Sequence, residues 1–535
     1  MSHDTKRLKT NNGIKKSIID STSVEYIING PFRSIKPYYY TYKTYCKERW
    51  RNKLLIDILS SEFRLFTKQH YINTIKKGLV LINDNIANLE SYVKNGDFIK
   101  HTTHRHEPIV SSGKINIVYQ DDDILIVDKP AGLPVHPTGR YNYNSLTQIL
   151  KFENNIIANP CNRLDRLTSG LMIMGKNPKG CDKMVQLLKT HSISKIYIAR
   201  VIGEFPINEL MIDKPILTYD PKLSLNIINE KDGKLSITKF KRLYYDSNSN
   251  TSLVLCEPKT GRTHQIRVHL QYLGHAIVDD PIYSNEFVWG EKLGFNNEYD
   301  ILKVRDNLSK IGKSENSSSW LNEKNNLGKG EILSGLECEE CGIELYSEPI
   351  ESELGISLHC LGYESNDSNL EFSYYSKELP KWVDNLLDFH MKLALKEAEK
   401  CPATKTSFRV GAILTYKGEI ISKGYSNELP GNTHAEENCI NKYLQKYNNL
   451  PIGCELFTTM EPCIKRLSGK KSCTNIILEN KEFIKTIFVG CKEPDKFIKM
   501  ENNTKKTLIN ENLNYFILNK FKDEAIKIAE YGNDK

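Results

Sequence analysis

The alternation of apolar and polar positions divides the chain before any motif is considered. From Trp50 the stretch "WRNKLLIDILSSEFRLFTKQHYINTIKKGLVLINDNI" spaces its apolar residues at helical intervals, then closes into a short apolar run, "GLVLIN". That predicts two helices and a strand, with Asn95–Gly96 marking a turn in "VKNGDFIKHTTHRHEPIV". Residues 111–284 alternate short β-branched runs with Gly and Pro turns, among them "INIVYQDDDILIVDKPAGLPVHP", "SGLMIMGK", "KIYIARVIG" and "TSLVLCEP". This pattern predicts a mixed α/β domain. Residues 285–335 are rich in Asn, Ser, Lys and Glu and poor in apolar positions, which predicts a long, partly disordered insertion. After Pro380 the rhythm becomes helix, strand hairpin, helix, strand, helix, strand, the order of an α/β layered domain.

The predicted organisation is a basic, disordered segment over 1–48, a small helix-and-strand domain over 49–107, a catalytic domain over 108–380 and a layered domain over 381–535. A chain of 535 residues has room for several such cores. The fold class is therefore α/β and α+β, multidomain.

Charge sharpens this division. Residues 1–284 hold 41 Lys and Arg against 27 Asp and Glu, whereas residues 285–380 hold 8 against 19. A basic first half is the electrostatic footprint of a polyanion binder, and the acidic middle belongs to another surface. The absence of about 18 consecutive apolar residues predicts no transmembrane helix and no membrane partner. The 13 cysteines are odd in number and scattered, which predicts mostly core thiols in a reducing compartment. The N-terminal stretch lacks an apolar core; it predicts a cytoplasmic chain, with "KRLK" allowing a nuclear fraction.

Two centres carry candidate chemistry. In "NRLDRLTSGLMIMGK", Asp165 sits between Arg163 and Arg166 on a turn that leads into an apolar strand. A carboxylate at a strand edge is placed to face a cleft, and its flanking arginines suit phosphates. A second basic cluster, "TGRTHQIRVHLQYLGHAIVDD", spans Thr260–Asp280, and Tyr197 lies between the two in "SKIYIARV". Together these motifs resemble the RluA-type pseudouridine synthases. The resemblance implies Asp165 as the catalytic residue, Tyr197 as the active-site tyrosine and Arg262 as the partner of Asp165, with Arg267 as the alternative partner or a substrate contact. It implies an RNA substrate, tRNA at anticodon stem–loop position 32 above all, and no cofactor. Attack on the sugar, attack on the base and removal of a sugar proton all remain open for Asp165. The helices and strands of 49–107 resemble the alpha-L RNA-binding fold of ribosomal proteins.

The second centre is "NTHAEENCINKY" followed by "TTMEPCIKRLSGKKSC". His434, Cys463 and Cys473 supply the donor types of an open catalytic zinc, which leaves a fourth position to water. Glu436, two residues after His434, is the expected proton carrier of such a site. The compact form of this site is P-C-x-x-C, whereas nine residues separate Cys463 from Cys473 here. Cys473 nevertheless follows Ser472, a possible helix cap, and precedes an apolar pair, so the helix register beyond it is the ordinary one and seven residues have been inserted. A helix N-terminus also lowers a thiol pKa. Cys439 faces elsewhere on its helix. The cations of the insertion, Lys465 and Arg466 foremost, are either a solvated loop or an anion contact. Asn427 is either a turn former or a contact to a ribityl chain.

These stretches, with "CKEPDKF", resemble the deaminase of fungal riboflavin biosynthesis, in a three-layer α/β/α cytidine-deaminase-like fold. Its fusion to a synthase resembles the fungal bifunctional arrangement. The resemblance implies deamination of 2,5-diamino-6-ribitylamino-4(3H)-pyrimidinone 5'-phosphate, a small pyrimidine phosphate, and allows a homodimer through this domain. An RNA-directed or inactive deaminase is the alternative.

One further pattern is left open by the sequence. Cys338-x-x-Cys341, with His359–Cys360 downstream, resembles half a zinc ribbon. A His–Cys pair in one strand points to opposite faces, however, and "SLHCLGY" also resembles a late strand of the synthase family.

Overall fold

The computed structural model describes residues 24–532 apart from 64–66, 311–332, 347, 368–369, 406, 467 and 495–502. The basic tail up to residue 23 and the central part of the predicted insertion lie outside the described residues.

Residues 26–45, read from the sequence as part of the tail, are strands instead. Tyr26–Asn29 pairs with Phe32–Ile35, and Tyr38–Tyr45 runs antiparallel to Phe98–Arg105 over its whole length. The tyrosines of "YYYTYKTY" favour a pleated surface even where few apolar residues mark one. Tyr38–Tyr45, Phe98–Arg105, Val80–Ile82 and Asn85–Ile86 form a four-stranded sheet. Helices Leu55–Glu62 and Lys68–Lys76 belong to the same unit, whose core includes Trp50, Leu55, Leu59, Tyr71, Ile75 and Val80.

The catalytic domain is built on a ten-stranded, mostly antiparallel sheet. Its centre is Ser169–Gly175, Leu358–Ser365, Ile193–Ile202 and Thr251–Pro258, in that spatial order. The late strand Leu358–Ser365 therefore lies mid-sheet, parallel to Ser169–Gly175 and antiparallel to Ile193–Ile202. This explains why the domain must extend to about residue 380. The expected disorder over 285–335 is corrected at its start: Glu286–Trp289 and Ile301–Lys310 are helical. Val288, Trp289, Val304 and Leu308 enter the main core, which gives these helices a reason to form despite their polar composition.

The C-terminal domain has a five-stranded sheet in the order Glu419–Tyr425, Gly411–Tyr416, Cys454–Met460, Ile484–Cys491, Asn514–Ile517. The first three strands pair antiparallel and the last two join in parallel. Helices Lys381–Ala398 and Lys522–Glu530 pack in one core, and Ala435–Lys446, Cys473–Glu479 and Thr504–Asn510 in the other, completing the α/β/α layers.

The ten-stranded-sheet domain and the C-terminal domain share a core. Ile198, Leu243, Tyr244 and Leu253 of the catalytic sheet pack in one cluster with Val383, Leu387, Met391, Phe457 and Phe488. Tyr244 OH hydrogen-bonds His390 Nε2 at 2.8 Å, and Asn514 Nδ2 donates to Arg242 O at 3.0 Å. Because neighbouring strand residues face opposite ways, Ile198 joins the core shared with the C-terminal domain while Tyr197 lines the cleft on the other face.

Candidate functional sites

The first site is a cleft of about 460 Å³ whose walls include Asp165, Tyr197, Lys195, Arg262, His264 and Arg267. Asp165 sits on the turn before the strand Ser169–Gly175, with Thr168 N–H donating to its carbonyl at 3.2 Å. Beneath the turn lies Lys129, fully buried, whose Nζ donates to Pro130 O and Leu133 O at 2.9 Å and to Arg166 O at 3.2 Å. A buried ammonium is tolerated only when its protons are spoken for; here it ties the Asp165 turn to the loop after Lys129.

The partner of Asp165 is Arg267, a correction to the expectation that favoured Arg262. Arg267 is buried in the helix Gln265–Tyr272, and its Nη1 lies 3.3 Å from Asp165 Oδ2. Its other nitrogens hold Asp280: Nε to Oδ2 at 2.6 Å and Nη2 to Oδ1 at 2.9 Å. Arg262 precedes the helix, lies exposed on the rim and donates through Nε to Leu235 O at 3.1 Å. The difference is helical phase: residue 267 falls on the inward turn, whereas residue 262 falls before the helix begins.

His264 was not singled out from the sequence. Its Nε2 lies 3.8 Å from Asp165 Oδ2, and Nδ1 meets Tyr283 OH at 2.9 Å. Burial pushes the Asp165 carboxyl up, but His264 and Arg267 more than offset it, and its pKa lies below the ordinary value. Tyr197 is buried and its phenol is pushed far up, chiefly by desolvation. Lys195 lines the same cleft and is pushed down by desolvation. Arg163 is an exposed residue of the cleft wall, whereas Arg166 is buried with its guanidinium 6.0 Å from the Tyr141 ring.

The second site joins three elements. His434 caps the helix Ala435–Lys446, Cys463 follows the strand Cys454–Met460, and Cys473 opens the helix Cys473–Glu479, where Ser472 accepts from Asn475 N–H. The three donor atoms lie within 4.8 Å of one another, with His434 Nδ1 3.5 Å from Cys463 Sγ and 3.4 Å from Cys473 Sγ. Tetrahedral zinc with ordinary Zn–S and Zn–N lengths needs S···N edges of about 3.6 Å, so the donor set fits that ion. Glu436 is buried beside it, accepting from Thr458 Oγ1 at 2.9 Å and from Cys473 Sγ at 3.1 Å. Its carboxyl is pushed up, first by desolvation and then by Cys463. Cys439, Cys454 and Cys491 lie in the apolar cores.

The insertion corrects another expectation. Arg466 is buried and turned inward, with Nη1 2.8 Å from Glu437 Oε2 and Nη2 donating to Cys473 Sγ at 3.4 Å. Its guanidinium therefore faces the candidate donor Cys473 and Glu437 rather than solvent. Glu437 in turn accepts from His434 N–H at 3.2 Å, closing a ring of contacts around the donor set. Lys465 remains exposed. Asn427 is a left-handed turn residue, with φ of 59° and Nδ2 3.3 Å from Ser407 Oγ.

The fold joins a mixed-sheet domain with an Asp165-bearing cleft to an α/β/α domain with a His–Cys–Cys donor set. Residues 123–272 match the RNA pseudouridylate synthase family, and residues 385–491 match the cytidine and deoxycytidylate deaminase zinc-binding region. The chain is 47% identical over 366 residues to tRNA pseudouridine(32) synthase, mitochondrial, of Saccharomyces cerevisiae, covering 67% of this chain and 78% of the relative. It is 35% identical over 400 residues to tRNA pseudouridine(31) synthase of the same yeast, covering 67% and 96%. Among solved structures, Aspergillus oryzae Rib2 deaminase in complex with DARIPP is similar at 31% identity, over 28% of this chain and 92% of that one, with a TM-score of 0.26. The chain belongs to the RNA pseudouridine synthase family.

Among the described residues no helix is long and apolar enough to cross a membrane.

Proposed function

We propose that the chain is a bifunctional enzyme that isomerises uridine in tRNA, at position 32, and deaminates a ribitylamino-diaminopyrimidine phosphate of riboflavin biosynthesis. The observation that carries the first activity is the Asp165 carboxylate in the cleft wall, 3.3 Å from Arg267 Nη1 and 3.8 Å from His264 Nε2. Isomerisation must break the glycosidic bond, turn the uracil and join C5 to the sugar. Asp165 attacks or takes the sugar proton, Arg267 keeps it charged, and Tyr197 packs against the base and relays the C5 proton. The flipped nucleotide needs its phosphates held, which suits exposed Arg163 on the rim. The alpha-L-like domain at 49–107 adds RNA contacts. The yeast relative named for position 32 supports the choice of nucleotide.

For the second activity, His434, Cys463 and Cys473 would hold a zinc ion, which when bound would supply Lewis-acid activation of water. Glu436 carries protons to the ring nitrogen and the departing ammonia. The long Cys463–Cys473 loop and "GYSNELPGNTHAEENC" favour the riboflavin-pathway substrate over a nucleobase in RNA. In this reading the chain works in the cytoplasm, and cell fractionation checks that.

The deciding experiment assays purified full chain on tRNA and on the free pyrimidine phosphate. Asp165→Ala abolishes pseudouridine formation and spares ammonia release; Glu436→Ala does the reverse. Ammonia released from tRNA instead of the free pyrimidine would sink the riboflavin reading. Pseudouridine mapping in a deletion strain supplied with riboflavin checks position 32.

A further inference from the structure

Among the described residues, one cluster of metal-ligating side chains lies apart from both sites. Strands Leu333–Glu337 and Glu344–Tyr346 form a hairpin whose tip is Cys338-Glu-Glu-Cys341-Gly342-Ile343. Cys338 N–H donates to Ile343 O at 2.9 Å and Gly342 N–H donates to Cys338 O at 2.8 Å. Gly342 takes a φ of +67°, so the chain curls back on itself at the tip. Facing this tip is the end of the strand Phe98–Arg105. His104 lies in that strand and His106 just past its last residue, and their ring nitrogens converge on the hairpin tip. Their rings lie 4.7 Å apart, nearly perpendicular at 84°.

The four donors converge. Cys338 Sγ is 3.5 Å from His104 Nδ1, Cys341 Sγ is 3.4 Å from His106 Nε2, and all four atoms lie within 4.8 Å of one another. These edges match the about 3.6 Å that a tetrahedral Zn²⁺ with two sulfur and two nitrogen ligands requires. With Nδ1 turned inward, His104 presents Nε2 outward, 3.6 Å from Glu340 Oε2. A carboxylate on the far nitrogen is the usual outer partner of a zinc-bound imidazole. His359 and Cys360, the ligands the sequence spacing suggested, are elsewhere: His359 Nδ1 meets Ser169 Oγ at 2.9 Å, and Cys360 is buried in the central sheet.

We infer that His104, His106, Cys338 and Cys341 form a closed, structural zinc site that clamps the 333–346 hairpin to the N-terminal subdomain. Four protein ligands leave no open position, so the site is a staple and not a second catalytic metal. Its place gives it consequence. Arg105, between the two histidines, donates through Nη2 to Arg140 O at 2.7 Å, and the neighbouring Thr138 and Tyr141 line the synthase cleft. The staple therefore fixes the strand on which one cleft wall leans.

The test uses full chain carrying His434→Ala, Cys463→Ser and Cys473→Ser, so that the deaminase donors contribute nothing to the count. This variant should retain one zinc per chain after gel filtration, and adding Cys338→Ser and Cys341→Ser should bring that to zero. Cobalt loaded into the first variant should show tetrahedral d–d bands with thiolate-to-metal charge transfer, both lost in the second. On wild-type chain, which needs no variant to fold, Cys338 and Cys341 should resist alkylation until a chelator is added. Retained zinc after both serine substitutions, no zinc in the first variant, or a Cys338–Cys341 disulfide found by mass spectrometry would each overturn the inference.

Discussion

Arg267 and Asp165 meet at 3.3 Å across 102 residues of sequence, and the same guanidinium grips Asp280 with its remaining nitrogens. Asp280 thereby fixes the plane and rotamer of Arg267, so that one N–H is aimed at the Asp165 carboxylate. A fork held on one side by a buried carboxylate is a preorganised donor on the other.

If Asp165 carries the proposed chemistry, Arg267→Ala should lower kcat/KM for RNA isomerisation by about 100-fold or more, since a displacement of a reacting group by an ångström costs that much. It should also destabilise the domain by about 3–5 kcal/mol, because it leaves Asp280 buried without its partner. Arg262→Ala, on an exposed rim, should change stability by under about 1 kcal/mol. Isomerisation rates measured beside denaturant melts separate the two; equal losses in both variants would contradict the pairing.

Acid should spare the synthase until late. The Asp165 carboxyl lies below the ordinary value once His264 and Arg267 have outweighed its burial. A depressed native pKa gives stability that is present above the unfolded value, about 3.9, and is lost as pH falls through the native value. The acid limb assigned to Asp165 should therefore lie below that of an ordinary aspartate in single-turnover assays. Arg267→Met should move that limb upward, and an unmoved limb would show that Arg267 does not set the charge.

Arg466 offers a test of the inserted loop. Its guanidinium reaches both Glu437 and Cys473 Sγ, so Arg466→Ala should weaken zinc retention against a chelator by about 10- to 100-fold. Lys465→Ala, on the exposed side of the same loop, should leave retention unchanged. Equal retention in both variants would return the insertion to the status of a solvated loop.

Gly170 joins the Asp165 turn to the strand that follows. Its φ is +112°, and a Cβ there would run into the backbone of Cys360. Gly170→Ala should cost more than about 3 kcal/mol, read as a lower unfolding midpoint, and should reduce isomerisation through the displaced turn.

Much of this protein is legible in its sequence because it is local. The strand runs of 111–284, the helix register beyond Cys473 and the motif around Asp165 depend on side-chain periodicity and on residues close in the chain. The donor types at His434, Cys463 and Cys473 are equally plain, since metal ligands are a short menu. Composition misleads at the edges: it predicts a disordered segment over 1–48 and a partly disordered insertion over 285–335, although Tyr38–Tyr45 is a strand and Glu286–Trp289 and Ile301–Lys310 are helices, each formed by packing on another part of the chain.

Tertiary structure decided the rest, because contact across long sequence separation leaves no local trace. It chose Arg267 over Arg262 by the phase of one helix and revealed His264 beside the carboxylate. It turned Arg466 from the solvent toward a thiol. It brought His104 to Cys338 across 234 residues. The sequence determined which chemical groups the chain possesses; the packing of sheets and helices determined which of them meet.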